Sequence, residues 1–214
     1  MLDSVLSALA PHYCYGCHKP AKLLCIECNK YNNKNYNSVI FERLFLNNHN
    51  YEVKCVDLRI GVLKDLIDGY KFQRQKISFK VLAEILFFVF PAPADSIVIT
   101  IPTRQKNKRA RGYDHMKLIA NRYAKLSKVK FSDMLNGDRK YSQHTKNLKE
   151  RQQLAKNVFV VDKNTTIDKR SHLILVDDIY TTGSTMKEAV VALNQAGFYN
   201  IECIVIARQP FSVD

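Results

Sequence analysis

The sequence predicts an α/β fold built on a mostly parallel sheet, and three observations carry that prediction. Two uncharged aliphatic runs, residues 96–101 and 173–176, read as strands buried on both faces. Each runs straight into a polar loop. Each loop is followed by apolar residues at helical spacing: Met116, Ile119, Ala120 and Tyr123 after the first, and Met186, Ala189, Val190, Leu193 and Ala196 after the second. Open α/β sheets built from such strand-loop-helix units place their ligands at the carboxyl ends of the strands. At 214 residues the chain has room for one α/β domain and a small appendage.

In chain order, the appendage comes first. Residues 1–35 carry four of the six cysteines, Cys14, Cys17, Cys25 and Cys28, as Cys-x2-Cys, seven intervening residues and Cys-x2-Cys. Two such knuckles bring four thiolates around one tetrahedral zinc, and four sulfur ligands leave no open position, so the zinc is expected to be structural. A piece this small buries too little apolar surface to fold alone, whereas structural zinc contributes roughly 10 to 16 kcal/mol in comparable modules. The alternative, a pair of disulfides, requires an oxidising compartment. His12 and His18 lie nearby and read as bystanders. The apolar start, residues 1–10, lacks the basic flank and long apolar core of a secretory signal, and the expectation is a cytoplasmic protein with reduced thiols.

Residues 36–75 form a second region. Apolar and polar residues alternate from 38 to 57 around an Asn-rich turn at 47–50, which predicts an antiparallel hairpin. A helix is expected over 58–70, with Leu58, Val62, Leu63, Leu66 and Ile67 on one face. The turn that follows, Asp68-Gly69-Tyr70-Lys71-Phe72-Gln73-Arg74, holds two cations and by itself says little. The α/β domain then occupies 76–214. Its longest apolar run, 85–94, is broken by Pro91 and Pro93, too short to span a bilayer, and reads as a core helix. Cys55 and Cys203 sit among aliphatic residues and read as buried strand thiols.

The strand at 173–176 leads into Asp177-Asp178-Ile179-Tyr180-Thr181-Thr182-Gly183-Ser184-Thr185. Small residues let the backbone N–H groups of 181–185 converge, the hydroxyls of Thr181, Thr182, Ser184 and Thr185 add donors, and the helix N-terminus adds partial positive charge. Ser184 or Thr185 is the expected N-cap and Gly197 the stop. Together these make a phosphate cradle. Asp177 and Asp178 would repel a bound phosphate unless they accept hydrogen bonds from hydroxyls or hold a divalent cation, and a sugar phosphate meets both conditions. The strand at 96–101 opens into a cation-rich loop, Thr103-Arg104-Gln105-Lys106-Asn107-Lys108-Arg109-Ala110-Arg111-Gly112, suited to a more highly charged anion.

Charge is concentrated. The net charge is +13, and residues 104–156 hold sixteen Lys and Arg against four acids, Asp114, Asp133, Asp138 and Glu150. Such a surplus directs the protein to polyanions: nucleic acid, anionic membrane or phosphorylated ligands. Within it, the polar segment before the strand at 158–161 carries Gln143, Lys146, Lys149 and Arg151. It reads either as a lid over a site or as a nucleic-acid contact, to which Tyr141 and His144 would add stacking.

The segment 173–185 resembles the 5-phosphoribosyl-1-pyrophosphate (PRPP) motif of type I phosphoribosyltransferases. That resemblance implies that Asp177 and Asp178, the catalytic candidates, contact the ribose hydroxyls, that Thr181, Thr182, Gly183, Ser184 and Thr185 hold the 5′-phosphate, with Tyr180 in the PRPP site where an aliphatic residue is commoner, and that Thr103, Arg104, Arg109, Arg111 and Gly112 hold magnesium pyrophosphate. It also implies a mobile lid at Gln143, Lys146, Lys149 and Arg151. Thr181 stands where several purine-salvage members carry an aspartate general base. The zinc knuckle, the Tyr70-Lys71 turn, Pro102-Thr103-Arg104, the Arg111-Gly112-Tyr113-Asp114-His115 run and the PRPP motif, in this order, resemble the ComF (ComFC) family of competence proteins. Tyr113, Asp114 and His115 stand where that family more often has Phe, Asn and Gln, and Leu154 where Asn is expected. The family implies a type I phosphoribosyltransferase fold and a cytoplasmic role with single-stranded DNA in natural transformation, alongside other DNA-uptake proteins at the inner face of the membrane. Two activities follow as alternatives: a competence protein that binds PRPP-magnesium and single-stranded DNA, or an active phosphoribosyltransferase that moves ribosyl 5-phosphate to a nucleobase or amine.

Overall fold

The computed structural model describes residues 13–20, 22–32, 38–46, 49–73, 75–137 and 159–211. Strands β1 (Ile40–Leu46) and β2 (His49–Leu58) form the expected antiparallel hairpin. Helices α1 (Gly61–Phe72) and α2 (Ser78–Val89) follow, then β3 (Ile97–Thr100), α3 (Gln105–Arg111) and α4 (His115–Ser127). The chain continues through β4 (Lys130–Ser132), β5 (Leu135–Gly137), β6 (Phe159–Val161), β7 (Leu173–Tyr180), α5 (Ser184–Gln195) and β8 (Ile201–Arg208).

One six-stranded sheet runs in the order β1-β2-β8-β7-β3-β4, and every pairing in it except β1 with β2 is parallel. The hairpin strands of region 36–75 therefore continue the sheet of 76–214 through β2 and β8. β5 and β6 form a separate antiparallel pair. Both faces of the sheet are covered, which is why its central strands read as continuous hydrophobic runs. Ile174, Val176, Ile204 and Ile206 pack with α1, α2 and α4 on one face; Leu173, Leu175, Cys203 and Val205 pack with Met186, Ala189, Val190 and Leu193 of α5 on the other. No helix among the described residues is long and apolar enough to cross a membrane.

The order in which strands are added to the sheet reverses between β3 and β7, which run parallel. From β3 the next parallel strand, β4, is added on one side, and from β7 the next, β8, on the other. The crevice outside the carboxyl ends of adjacent strands at such a reversal is the standard ligand position of open α/β sheets. Thr100 pairs with Val176 there, so the polar segments after both strands start side by side.

Four expectations need correction. The cation-rich stretch after β3 is a short helix, α3, rather than a loop: its residues are good helix formers, but none is buried, so no apolar period announces it. Helix α5 is not capped by Ser184 or Thr185; Gly183 takes the N-cap position in the left-handed conformation (φ 76°), and no side chain makes a capping bond. The helix expected over 58–70 begins only at Gly61, because Leu58 still pairs with Arg208 in the sheet. The core helix expected over 85–94 is α2, which starts at Ser78 and stops before Pro91, as the ring of a proline dictates.

Gly183 is required twice over. Its φ lies in the left-handed region, and a Cβ there would overlap the Tyr180 hydroxyl. Gly183→Ala is expected to cost at least about 1 to 2 kcal/mol from the backbone alone, measurable by urea denaturation. A fully stable Ala variant would mean that the loop takes another conformation.

Candidate functional site

Asp178 is the centre of the crevice. It is the sixth residue of β7 and only 9% exposed. A lone carboxylate buried to that degree is costly, and two groups from other elements compensate it. Lys71 Nζ, from the last turn of α1, lies 2.7 Å from Asp178 Oδ2, and His115 Nε2, from the first turn of α4, lies 2.5 Å from the same oxygen. Burial alone would raise the carboxyl pKa of Asp178, but the Lys71 charge and the His115 hydrogen bond outweigh it and hold the group well below the usual carboxylate range.

His115 is in turn oriented from its other side. Arg111 Nη1 is 3.0 Å from His115 Nδ1, and a guanidinium only donates, so Nδ1 accepts and Nε2 carries the proton given to Asp178. Thr103 Oγ1, also 3.0 Å from Nδ1, is then free to donate to Asp114 Oδ1 at 2.8 Å. Asp114 caps α4 by accepting from Lys117 N and takes Lys108 Nζ at 2.5 Å. Burial opposes its ionisation, but the bonds from Lys108 and Thr103 keep its carboxyl below the ordinary value. Arg111 Nε also donates to Lys71 O, and the Tyr113 hydroxyl to Tyr70 O, so α3 and the start of α4 are tied to the end of α1.

Asp177 behaves differently from its neighbour. It is partly exposed and accepts the backbone N–H of Asp178 at 2.9 Å. Burial, and the negative charge of Asp178 beside it, push its carboxyl up to about 8. The two adjacent acids thus differ: one is an anion neutralised by the protein, and the other takes or releases a proton near neutral pH.

The remaining residues singled out in the sequence fall into three groups. Tyr180 and Gly183 are buried beneath the β7–α5 turn, while Thr181, Thr182, Ser184 and Thr185 are exposed on it. Thr103 and Arg111 belong to the Asp178 network; Arg104 and Arg109 are exposed and their side chains make no contact with it among the described residues, and Gly112 closes α3 in the left-handed conformation (φ 79°). Gln143, Lys146, Lys149 and Arg151 lie outside the described residues. Sequence reasoning missed Lys71 and His115 as parts of the site. The available signal was their place in the Tyr70-Lys71 turn and the Arg111-Gly112-Tyr113-Asp114-His115 run, two motifs of the competence-protein resemblance to which the sequence reading gave no role in the site.

The four knuckle cysteines form a second site. Their Sγ atoms all lie within 4.8 Å of one another, and Cys17 and Cys25 are 3.9 Å apart. Tetrahedral sulfur ligation with metal–sulfur bonds near 2.3 Å needs sulfurs about 3.8 Å apart, so the group can hold a metal ion. Cys14 Sγ accepts the backbone N–H groups of Gly16 and Cys25, each at 3.4 Å. Burial opposes its ionisation, yet the N–H groups of Cys25, Cys17 and Gly16 bring the thiol down to about 6. Cys55 and Cys203 are unlike these: burial pushes both thiols up to about 12.

Comparison with known proteins agrees with this architecture. The phosphoribosyl transferase domain family matches residues 117–213, which take in β7, the acid pair and the turn into α5. Competence protein ComFC of Streptococcus pneumoniae is 25% identical over 147 residues, covering 68% of this chain and 63% of that protein. Competence protein F of Haemophilus influenzae is 28% identical over 160 residues, covering 70% of this chain and 69% of that protein. The chain thus spans a little under two thirds of the length of the pneumococcal relative.

Two measurements follow from the Asp178 network. Lys71→Met leaves a buried carboxylate with one partner and is expected to lower the unfolding free energy by about 3 kcal/mol; adding Asp178→Asn should recover much of that loss, because the two changes are coupled. The second concerns pH. Asp178, with a lowered pKa, contributes stability above its ordinary value of 3.8 that is lost on further acidification, whereas the raised pKa of Asp177 contributes stability at acid pH that is lost as pH climbs toward about 8. Asp177→Asn should therefore flatten the decline in melting temperature between about pH 4 and 8; an unchanged decline would place the titrating group elsewhere.

Proposed function

We propose that this chain, a relative of the ComF and ComFC competence proteins with a phosphoribosyltransferase-type domain, binds magnesium PRPP where β3 and β7 end and single-stranded DNA on the adjoining basic surface. The observation that carries this reading is the convergence at the sheet's reversal point of two motifs some seventy residues apart in sequence, the acid pair with its small-residue turn and the cation-rich α3. The exposed hydroxyls and backbone N–H groups of Thr181, Thr182, Ser184 and Thr185 suit a 5′-phosphate. Asp177 and Asp178 suit ribose hydroxyls, and Arg104, Arg109 and Arg111 suit the pyrophosphate with its magnesium. The magnesium supplies charge compensation for the pyrophosphate oxygens.

The four cysteines hold zinc in this reading, the ion for which an all-sulfur tetrahedral set is the usual site. Its role is structural. The compartment is the cytoplasm, where such thiols stay reduced.

In the related reading the site also turns over, passing ribosyl 5-phosphate to a nucleobase or amine. Asp177 favours that alternative, since a partly exposed carboxyl with a pKa near 8 can take a proton from an acceptor at neutral pH. Here the negative charge of Asp178 and of the ionised Asp177 would stabilise the cation-like sugar, while Lys71 and His115 keep Asp178 in place.

Titration calorimetry with magnesium PRPP tests the binding. The unaltered chain should bind, more tightly above about pH 8 than below it as Asp177 ionises, and Asp177→Asn with Asp178→Asn should abolish the signal. An unchanged dissociation constant in that double variant would refute the site. Acceptor-dependent pyrophosphate release over nucleobases and amines, absent in the double variant, would establish turnover. For DNA, about five single-strand phosphate contacts predict a slope near −3.5 in log affinity against log salt; a salt-insensitive affinity would contradict the basic surface as the binding site.

A further inference from the structure

Between α2 and α4 lies a groove of about 490 Å³ that the PRPP site does not use. Its floor is apolar and aromatic, from Phe79, Tyr113 and Leu118, and its rim carries the exposed cations Lys80, Lys117 and Lys125. Lys117 and Lys125 are eight residues apart on one helix, about 12 Å along its axis and about 80° around it, and both line the groove. Lys117 pairs with Asp133 and the neighbouring Arg122 with Glu84, but Lys80 and Lys125 have no ion pair among the described residues. The one acid in the lining, Asp114, is already neutralised by Lys108. The groove therefore keeps a surplus of positive charge over an aromatic floor.

Its inner end is rigid. Tyr113 stacks on Tyr70 with ring centroids 5.5 Å apart, and its hydroxyl is bound to Tyr70 O. Asp114, next to it, leads through Thr103 and His115 to Asp178.

We infer that this groove is the track of the single-stranded nucleic acid, with phosphates along Lys80, Lys117 and Lys125 and unpaired bases against Phe79, while Tyr113, stacked on Tyr70 and carrying Lys76 over its ring, forms the fixed wall. The inference rests on the DNA reading above and narrows it from the whole basic quarter of the chain to one face. A line of cations beside ring surface recognises any single strand, because every base has a π-face, whereas a duplex hides its bases and offers phosphates alone. Since Asp114 lines the groove and is linked through Thr103 and His115 to Asp178, a strand lying in it runs near the acid pair, and the two ligands are neighbours rather than rivals for one pocket.

The test uses the full chain and a fluorescein-labelled oligothymidylate, with anisotropy read at about 50 and 200 mM salt. Lys80→Glu with Lys125→Glu is compared with Lys106→Glu plus Arg109→Glu on α3, and Lys80→Gln with Lys125→Gln serves as a milder second pair. The Glu pair in the groove should weaken binding about tenfold or more, and the Gln pair should reduce the salt slope by about 1.4, two contacts at 0.7 each. Phe79→Ser should weaken binding with the slope unchanged. Melting temperature with and without magnesium PRPP should match the unaltered chain in the lysine variants, which separates a lost contact from a lost fold; Phe79→Ser also loses packing against the core, so it is read beside Phe79→Leu, which keeps the apolar contact and removes the ring. Full affinity in the groove variants together with loss in the α3 pair would overturn the groove and leave the DNA reading standing. So would tighter binding of a duplex of the same length. No binding by the unaltered chain would overturn the DNA reading and the groove with it.

Discussion

A single buried carboxylate organises this molecule. Asp178 stands near the end of a central strand and is only slightly exposed, so solvent does little to stabilise its charge. Its neutralisation draws on α1 through Lys71 and on α4 through His115, two elements that never adjoin in sequence. Each partner is itself fixed: Arg111 holds both the His115 ring and the Lys71 carbonyl, and Thr103 joins that ring to the helix cap at Asp114. The connections after β3, the end of α1 and the end of β7 are therefore one hydrogen-bonded unit. Preorganisation of this kind keeps charges aimed at a ligand without a cost of rearrangement when it arrives.

The cysteine knuckle is joined to the same unit through packing. Cys14 is fully buried in the core cluster that contains Leu63 and Leu66 of α1, and Gly16 lies so close to Cys28 that a side chain there would overlap it. Tyr15 bonds to Gln75 and crosses α1 at Gly69, where a Cβ would strike its hydroxyl. Gly69 is two residues from Lys71. A metal ion held by the knuckle would therefore act on a piece of chain packed directly against the helix that carries the lysine. Tyr180 supports the opposite side in a similar way: its ring underlies Gly183 and is itself covered by Arg208, which pairs with Glu42 of the edge strand.

Much of this was legible in the chain. The runs at 96–101 and 173–176 are strands because their uncharged aliphatic residues are buried on both faces, and the spacing of Met116, Ile119, Ala120 and Tyr123 marks α4 because each of them packs inward. The cysteine spacing, the hairpin around residues 47–50 and the match of the chain to the competence-protein relatives follow equally from local pattern. Helix α3 was not legible, because a helix that buries nothing leaves no apolar period. The cap of α5 was misread because two hydroxyl residues in a row look like caps, while the actual turn is set by the left-handed conformation that Gly183 alone tolerates.

The sequence by itself determined the parts: an α/β chain with a four-sulfur knuckle, an acid pair before a small-residue turn, and a cation-rich segment after a second strand. These are local patterns, and burial and backbone preference act on them over a few residues at a time. Only the tertiary structure decided that β3 and β7 are parallel neighbours, that the order of strand addition switches sides between them, and that Lys71 rather than any cation of the basic quarter neutralises Asp178. It also decided that the two adjacent acids ionise unequally, Asp178 more readily than a free carboxyl and Asp177 less readily. The reason is that burial, pairing and like-charge repulsion depend on distances through space, and residues 71, 115 and 178 meet only once the sheet has ordered its strands.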